Sequence, residues 1–422
     1  MPMSQSFKDR LFPIAGQLVE HYGSPFHIYD EVGIRETGEA LKKVFSGVEG
    51  FREYYAVKAL PNPSILKIML DMGFGFDCSS LGELRLSRDV GARGEEIMFT
   101  SNNTDHSEFI VAAEEGGCVL NLDDISLIEK VPEFPELICF RYNPGPRRTG
   151  NVIIGNPVEA KYGLSHDQVI DAYRLAQERG AKRFGLHTMV ASNELDYTYM
   201  VETARMVLEI AELVESELGI RFEFVNIGGG FGIPYRPDQS PLDIEAMASE
   251  IESLFSTFRE KHHYVPRMYM ESGRFMTGPH GCLVTSAINH KNIYRKYIGV
   301  DACMSALMRP GMYDAYHHID VVGKENDPKD QLYDVTGSLC ENNDKFAVQR
   351  QLPKIEEGDI LVIHDTGAHG HAMGFQYNAK LRPKELLLRA DGSVELIRRE
   401  ETLDDYFATL NFVNDQFTPD QS

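Results

Sequence analysis

Residues 53–78 read EYYAVKALPNPSILKIMLDMGFGFDC, and the order of elements in this stretch decides the fold. Residues 53–57 are rich in aromatic and apolar side chains, which predicts a buried strand. Residues 63–71 follow with apolar side chains at helical spacing and a proline at the first helical position. Residues 74–78 predict a second strand. Two strands joined by a helix of this length predict a parallel pair with a helical crossover.

The same alternation continues from about residue 34 to residue 275. Predicted strands cover residues 53–57, 74–78, 96–100, 119–122, 137–142, 183–189, 221–227 and 267–271. Predicted helices cover residues 63–71, 79–90, 106–115, 166–179, 196–218 and 243–261. Eight strands alternating with helices predict a (β/α)₈ barrel of the TIM type, with a doubly wound open sheet as the alternative. The barrel is favoured because polar and glycine-rich residues follow strand after strand, at what would be one rim.

The pattern changes after about residue 276. Residues 281–287, 295–300, 360–363 and 385–389 predict strands with few helices between them, and hence a second, mostly β domain. A further short strand, residues 25–29, precedes the barrel and could belong to either domain. The expected fold class is therefore α/β plus β.

Composition narrows the range of functions. The 422 residues are 42% hydrophobic and 25% charged, as in an ordinary globular protein. The formal net charge of −22 predicts a surface that repels phosphate backbones, so we do not expect nucleic-acid binding. No apolar run of 18 residues and no secretory leader are evident, so we expect a cytoplasmic protein without a membrane partner. The six cysteines form no CxxC pair, so no metal site is expected.

Lys58 is the first candidate for chemistry. It follows a predicted barrel strand, at the end where the active sites of such barrels lie. A desolvated lysine amine at this position is suited to form a Schiff base. The alternative is a structural lysine that pairs with a carboxylate or extends to solvent.

Two further segments follow later strands of the predicted barrel. The glycine run 228–232 (GGGFG) can present backbone N–H groups to a phosphate, although such runs are often only turns. In residues 271–274 (ESGR), Glu271 could keep a pyridinium nitrogen protonated, and Arg274 could bind phosphate or carboxylate. A structural ion pair is the alternative for this segment.

The second domain adds three polar segments. Arg309 and Tyr313, four residues apart, suit carboxylate recognition. Cys340, in the segment 337–344 (GSLCENND), could be a proton donor. His369, in the segment 365–370 (DTGAHG), lies among small residues that would let a ligand approach closely.

Together and in this order, these segments resemble the pyridoxal-phosphate-dependent decarboxylases of the alanine-racemase fold (fold type III), and among them the diaminopimelate decarboxylases most closely. The resemblance extends from about residue 23 to residue 410. The matching segments are YYAVKA, FDCSSLGEL, RYNPG, KYGLS, NIGGGFG, ESGR, RPGMYDAYHH, the Cys340–Glu341 pair and DTGAHGHAMGFQYN. The resemblance implies a barrel at residues 34–275 and a β-sandwich-like domain formed by residues 1–33 and 276–422.

The resemblance also implies a role for each candidate. Catalysis falls to Lys58, as the Schiff-base lysine, and to Cys340, as the acid that returns a proton after loss of CO₂. The implied cofactor-binding residues are Lys58, Ser192, Gly229, Gly230, Glu271, Gly273, Arg274, His369 and Tyr377. The implied substrate-binding residues are Arg274, Arg309, Tyr313 and Glu341. Cys340 and Glu341 would enter from a partner subunit, because the family's active sites lie at a homodimer interface.

Three departures from the family pattern affect the pocket. Met189 stands where the family places a histidine that stacks on the cofactor, Asn342 replaces a serine that helps to hold the substrate, and His369 replaces a tyrosine. The expected reaction is decarboxylation at the D-configured carbon of meso-diaminopimelate, which gives L-lysine, or of a close analogue. Decarboxylation of D-lysine or D-ornithine is the alternative. An amino-acid racemase and a non-catalytic pyridoxal-phosphate-binding protein are alternatives of other classes.

Overall fold

A computed structural model of the protein describes residues 3–151, 153 and 155–411. Its strands are β1 (Phe26–Asp30), β2 (Arg52–Ala56), β3 (Gly75–Cys78), β4 (Gly94–Phe99), β5 (Cys118–Leu122), β6 (Leu137–Tyr142), β7 (Arg183–Thr188), β8 (Phe224–Asn226), β9 (Arg267–Met270), β10 (Gly281–Asn292), β11 (Lys296–Val300), β12 (Ile319–Val321), β13 (Gln331–Thr336), β14 (Lys345–Leu352), β15 (Ile360–Ile363), β16 (Lys384–Leu388) and β17 (Val394–Arg398). Its α-helices are α1 (Gln5–Leu11), α2 (Ala15–Tyr22), α3 (Glu31–Val44), α4 (Pro63–Asp71), α5 (Leu81–Asp89), α6 (His106–Ala113), α7 (Val169–Glu178), α8 (Tyr197–Leu218), α9 (Ile244–His262), α10 (Gly273–Thr277), α11 (Arg309–Tyr313) and α12 (Leu403–Phe407). None of the helices in these ranges is long and apolar enough to cross a membrane.

Strands β2 to β9 form a closed parallel barrel, which confirms the predicted barrel and excludes the open sheet. The ring closes where β2 pairs with β9, with Arg52 opposite Tyr269. A 3₁₀ segment, Ile125–Lys130, connects β5 and β6. The predicted strand 221–227 is shorter than expected, because its backbone pairs with β7 only over Phe224–Asn226.

The second domain is built on one continuous nine-stranded sheet, which confirms the mostly β expectation. The 12-residue strand β10 pairs with β1 and β15 through its first half and with β11 through its second half. Because side chains alternate along a strand, Leu283 faces one apolar core while Cys282 and Val284 face another, under helix α1.

The N-terminal strand belongs to this sheet, not to the barrel. β1 lies between β10 and β16, antiparallel to the first and parallel to the second. The domain limits expected from the resemblance stay predictions, and residues 1–2 and 412–422 of the second expected domain lie outside the described residues.

The loop that follows Lys58 is held by the second domain. The His369 N–H donates to the Ala59 carbonyl at 2.9 Å, and Arg398 Nη2 donates to the Pro61 carbonyl at 3.0 Å. The Asn62 side chain, which also caps α4, donates to the buried Glu385 carboxylate at 3.1 Å. Three hydrogen bonds with residues that lie far along the chain therefore hold the loop after Lys58 in place.

Candidate active site

A cavity of about 810 Å³ opens at the carboxyl ends of the barrel strands, beside the second domain. It brings together most of the residues that the sequence predicted. The predicted residues that line it are Lys58, Ser192, Gly230, Glu271, Gly273, Arg274, Arg309, Tyr313 and His369. Gly229 lies within the same turn as Gly230.

Lys58 lies in the 3₁₀ turn Val57–Ala59, directly after β2, and extends into the cavity. Its side chain is 49% exposed, so the expected desolvation is wrong for this structure. The Lys58 ammonium lies 4.0 Å from Asp77 Oδ2. Burial, together with the nearby Glu271 charge, raises the pKa of Asp77 to about 8. Lys58 is therefore an accessible amine beside a carboxyl group that readily holds a proton.

Glu271 follows β9 and is almost fully buried. Its two oxygens accept hydrogen bonds, one from the Asn226 amide at 2.8 Å and one from His187 Nε2, on the assignment of that nitrogen as the donor, at 3.1 Å. Burial acts to raise the pKa of Glu271, but His187, Lys58 and Arg141 outweigh it and hold the pKa below its ordinary value. The cavity thus contains a buried carboxylate that stays ionised near neutral pH.

The turn after β8 admits only glycine. A Cβ atom on Gly229 would lie 2.2 Å from the Glu271 carbonyl oxygen, and one on Gly230 would lie 2.6 Å from the Ala191 carbonyl oxygen. Gly230 also has a φ of +105°. The Gly229 N–H points to Met189 Sδ at 3.3 Å. The absence of side chains lets this backbone form one wall of the cavity, with the Met189 thioether against it.

Two guanidinium groups also line the cavity. Arg274 donates to the Tyr235 hydroxyl at 2.5 Å, and Arg309, 4.6 Å above the same ring, contacts His317 Nε2 at 3.0 Å. Neither guanidinium forms an ion pair with a carboxylate of the described residues. Burial and the Arg274 charge lower the pKa of Arg309. Two cations without counter-ions are therefore available to an anionic ligand.

His369 adds no charge to this cavity. Burial, followed by the charges of Arg274, Arg309 and Lys58, lowers the pKa of His369 well below its ordinary value. The imidazole is therefore neutral at physiological pH. The replacement of the family's tyrosine with His369 therefore leaves the charge of the pocket unchanged.

Besides Gly229, three predicted site residues do not line the cavity of this chain. Cys340 is exposed, and its N–H donates to the Asn378 side chain at 2.7 Å. Glu341 accepts from the Asn343 N–H at 3.1 Å, and Tyr377 is 52% exposed. The structure places these residues beside one another on a surface outside the cavity.

The sequence interpretation gave no role to Asp77, His187 or Asn226. Each lies at or next to the carboxyl end of a barrel strand, where polar side chains point toward the active-site rim. Their position at the strand ends could therefore have identified them as candidates. The strand pattern could not show that His187 and Asn226 contact the same carboxylate, that of Glu271.

The residues present fit pyridoxal phosphate. Lys58 supplies an amine for covalent attachment, the ionised Glu271 suits a protonated pyridine nitrogen, and the glycine turn with Arg274 suits a phosphate. These groups line one cavity at the rim of one barrel. The fold and the site define a barrel protein whose rim cavity is suited to pyridoxal phosphate.

Comparisons with known proteins agree. The sequence model of the family described as "Pyridoxal-dependent decarboxylase, pyridoxal binding domain" matches residues 33–278. Protein TabA of Pseudomonas amygdali pv. tabaci is 46% identical over 98% of this chain and 97% of its own. Diaminopimelate decarboxylase of Methanothermobacter thermautotrophicus is 37% identical over 94% of both chains.

A solved structure of diaminopimelate decarboxylase from M. jannaschii in complex with L-lysine superimposes with a TM-score of 0.87, at 30% identity and 93% coverage of both chains. The chain belongs to the family of pyridoxal-dependent decarboxylases. It is an enzyme, and its cofactor is pyridoxal phosphate.

Proposed function

We propose that the enzyme removes the carboxylate at the D-configured carbon of meso-diaminopimelate, or of a close analogue, and thereby forms L-lysine. The observation that carries the proposal is the pair of guanidinium groups, Arg274 and Arg309, that face Lys58 without carboxylate partners. Diaminopimelate decarboxylases among the relatives and solved structures support it. A place in lysine biosynthesis and a cytoplasmic location belong to the same proposal.

The residues divide the work of binding and proton handling. Lys58 would hold the cofactor through its amine, while the Gly229–Gly230 backbone, Gly273 and Ser192 would hold its phosphate. When bound, the cofactor ring supplies an electron sink for the electrons that the departing CO₂ leaves behind. Glu271, kept ionised by its neighbours, holds a proton at the pyridine nitrogen.

The charges around the cavity favour diaminopimelate over D-lysine or D-ornithine. The far end of diaminopimelate carries a carboxylate, which Arg309 and Tyr313 can bind with charge-assisted hydrogen bonds. The far end of D-lysine is an ammonium, which could pair with Asp314, a carboxylate of the cavity wall next to Tyr313, but would leave Arg309 without an anion. The exposed Asn342 segment keeps the D-lysine alternative open, because the family's serine is absent there.

We further propose that the enzyme is a homodimer whose active sites are shared. Cys340, Glu341 and Tyr377 lie outside their own cavity, close to exposed apolar side chains of α11, Met312 and Tyr313. A Cβ on Gly311 would lie 2.4 Å from the Asn343 carbonyl oxygen, so α11 and the Cys340 segment form one surface. Pairing two such surfaces would bring Cys340 of the partner subunit to the cavity as the proton donor and place Glu341 beside the substrate.

Mixing two inactive variants tests the shared site. Lys58→Ala and Cys340→Ala chains, unfolded together and refolded, are expected to regain about a quarter of the wild-type activity, because half of the dimers are mixed and each has one intact site of two. Each variant refolded alone is the control. A mixture that stays as inactive as its components would contradict the shared site.

A substrate panel tests the reaction itself. We expect CO₂ release from meso-diaminopimelate, with kcat/KM at least about tenfold above the values for D-lysine and D-ornithine, because one buried charge-assisted contact distinguishes them. The L-forms are the stereochemical control. Faster release from D-lysine than from diaminopimelate would refute the proposed substrate and leave the decarboxylase family unaffected.

A further inference from the structure

One aromatic ring of the cavity wall, that of Tyr316, contacts two guanidinium groups. Arg236 lies over the Tyr316 ring at 4.8 Å from its centroid, and Arg350 lies over the same ring at 3.9 Å. Arg236 follows the glycine turn of the barrel, whereas Tyr316 and Arg350 belong to the second domain. None of the three had a role in the sequence interpretation.

These residues connect the cavity to a side pocket of about 230 Å³. Arg236, Asp314, Ala315 and Tyr316 line both spaces, and Lys345 and Arg350 line only the side pocket. Lys58, Glu271, Arg274 and Arg309 do not line the side pocket. The side pocket therefore extends the cavity on the side away from the reacting groups.

The cations of this pocket have no carboxylate partners. Among the described residues, no ion pair involves Arg236, Arg350 or Lys345, whereas a surface arginine such as Arg183 pairs with both Glu95 and Glu223. Asp314 is the carboxylate that lines the pocket, so three cations face one anion. In a chain with a net charge of −22, such a local excess of positive charge is unusual and attracts anions.

The two arginines also repel each other. Burial is the main cause that lowers the pKa of Arg350, and the charge of Arg236 lowers it further. The face of Tyr316 compensates part of this repulsion. A bound carboxylate would compensate the rest, because both guanidinium groups lie on the same small pocket.

We propose that Arg236 and Arg350 form an outer anion site, which binds the far carboxylate of amino acids longer than diaminopimelate. The proposal rests on the proposed function, because it extends the substrate class of the same cavity. Arg309 and Tyr313 receive the carboxylate of a seven-carbon substrate, and the outer anion site receives that of a longer one. Arg236 is then a residue that determines specificity by substrate length.

Binding of unreactive dicarboxylates to the holoenzyme tests this proposal by calorimetry. The probes are glutarate, pimelate and azelate, with five, seven and nine carbons, and nonanoate, which has the length of azelate and one carboxylate. We expect Arg236→Gln to weaken azelate binding about tenfold, the scale of one charge-assisted contact, and to change glutarate and nonanoate binding less than about twofold.

The control is Arg205→Gln, which removes an exposed arginine paired with Glu202 on α8. Unchanged azelate binding in Arg236→Gln, or an equal loss for all three dicarboxylates, would overturn the outer anion site. Failure of the wild type to bind azelate would overturn it too. Because these measurements need no turnover, a failed diaminopimelate assay would refute the proposed reaction without deciding the outer anion site.

Discussion

Replacing Lys58 with alanine is expected to abolish both the covalent attachment of the cofactor and its visible absorbance band, and to reduce decarboxylation by at least about 10³-fold. An amine held at the reacting position has an effective concentration that a free amine in solution does not reach. Lys58 is the lysine that lines the cavity among the described residues. Absorbance spectra of purified protein with added pyridoxal phosphate measure the first effect, and CO₂ release measures the second.

Lys67→Ala is the matched control, because Lys67 is an exposed lysine on α4, only nine positions away in the sequence. It should keep both the band and the activity. A Lys58→Ala protein that retains the band would show that another amine carries the cofactor.

Glu271→Gln is expected to lower kcat by about 10²–10⁴-fold, the range for loss of a positioned proton-holding group. The amide has nearly the same shape and can still accept from Asn226, but it has no negative charge to keep the pyridine nitrogen protonated. The effect should therefore appear in kcat and in the pH dependence of the cofactor spectrum, with a smaller change in KM.

Glu53→Gln is the control that separates charge from packing. Glu53 is buried in the same barrel and accepts a hydrogen bond from the Ser272 N–H, but burial raises its pKa well above the ordinary value. It is already neutral, so an amide should leave kcat within about twofold. If both variants lost the same activity, the charge of Glu271 would not be the cause.

The sequence predicted the barrel well because each strand and helix carries its own signal. Residues 53–57 and 137–142 combine apolar runs with strand length, and the helices have apolar faces at regular spacing. The sequence could not show that Asn226, His187 and Glu271 meet, because that contact arises only when the barrel closes and three separate strand ends become neighbours. A strand pattern predicts which side chains are buried and which face of the strand they occupy, but it does not predict which residue each side chain contacts.

The same limit applies to the residues that depart from the family pattern. The sequence identified Met189 and His369 as unusual but could not say what they do. The structure places the Met189 thioether against the glycine turn, and it buries His369 near three cations, so that burial first and the cations second lower its pKa. The exposure of the Lys58 side chain could not be predicted from the sequence either. An apolar run predicts a buried strand, but it does not show in which direction the side chain after the strand points.

The loop after Lys58 has a consequence for how such enzymes diverge. The hydrogen-bond partners of this loop are His369, Glu385 and Arg398. All three lie beyond residues 33–278, which the family's sequence model matches. The second domain therefore shares with the barrel the task of positioning the reactive lysine. Mutations accumulated in the second domain can retune cofactor attachment and turnover while every barrel residue stays the same, so relatives with nearly identical barrels can acquire different activities.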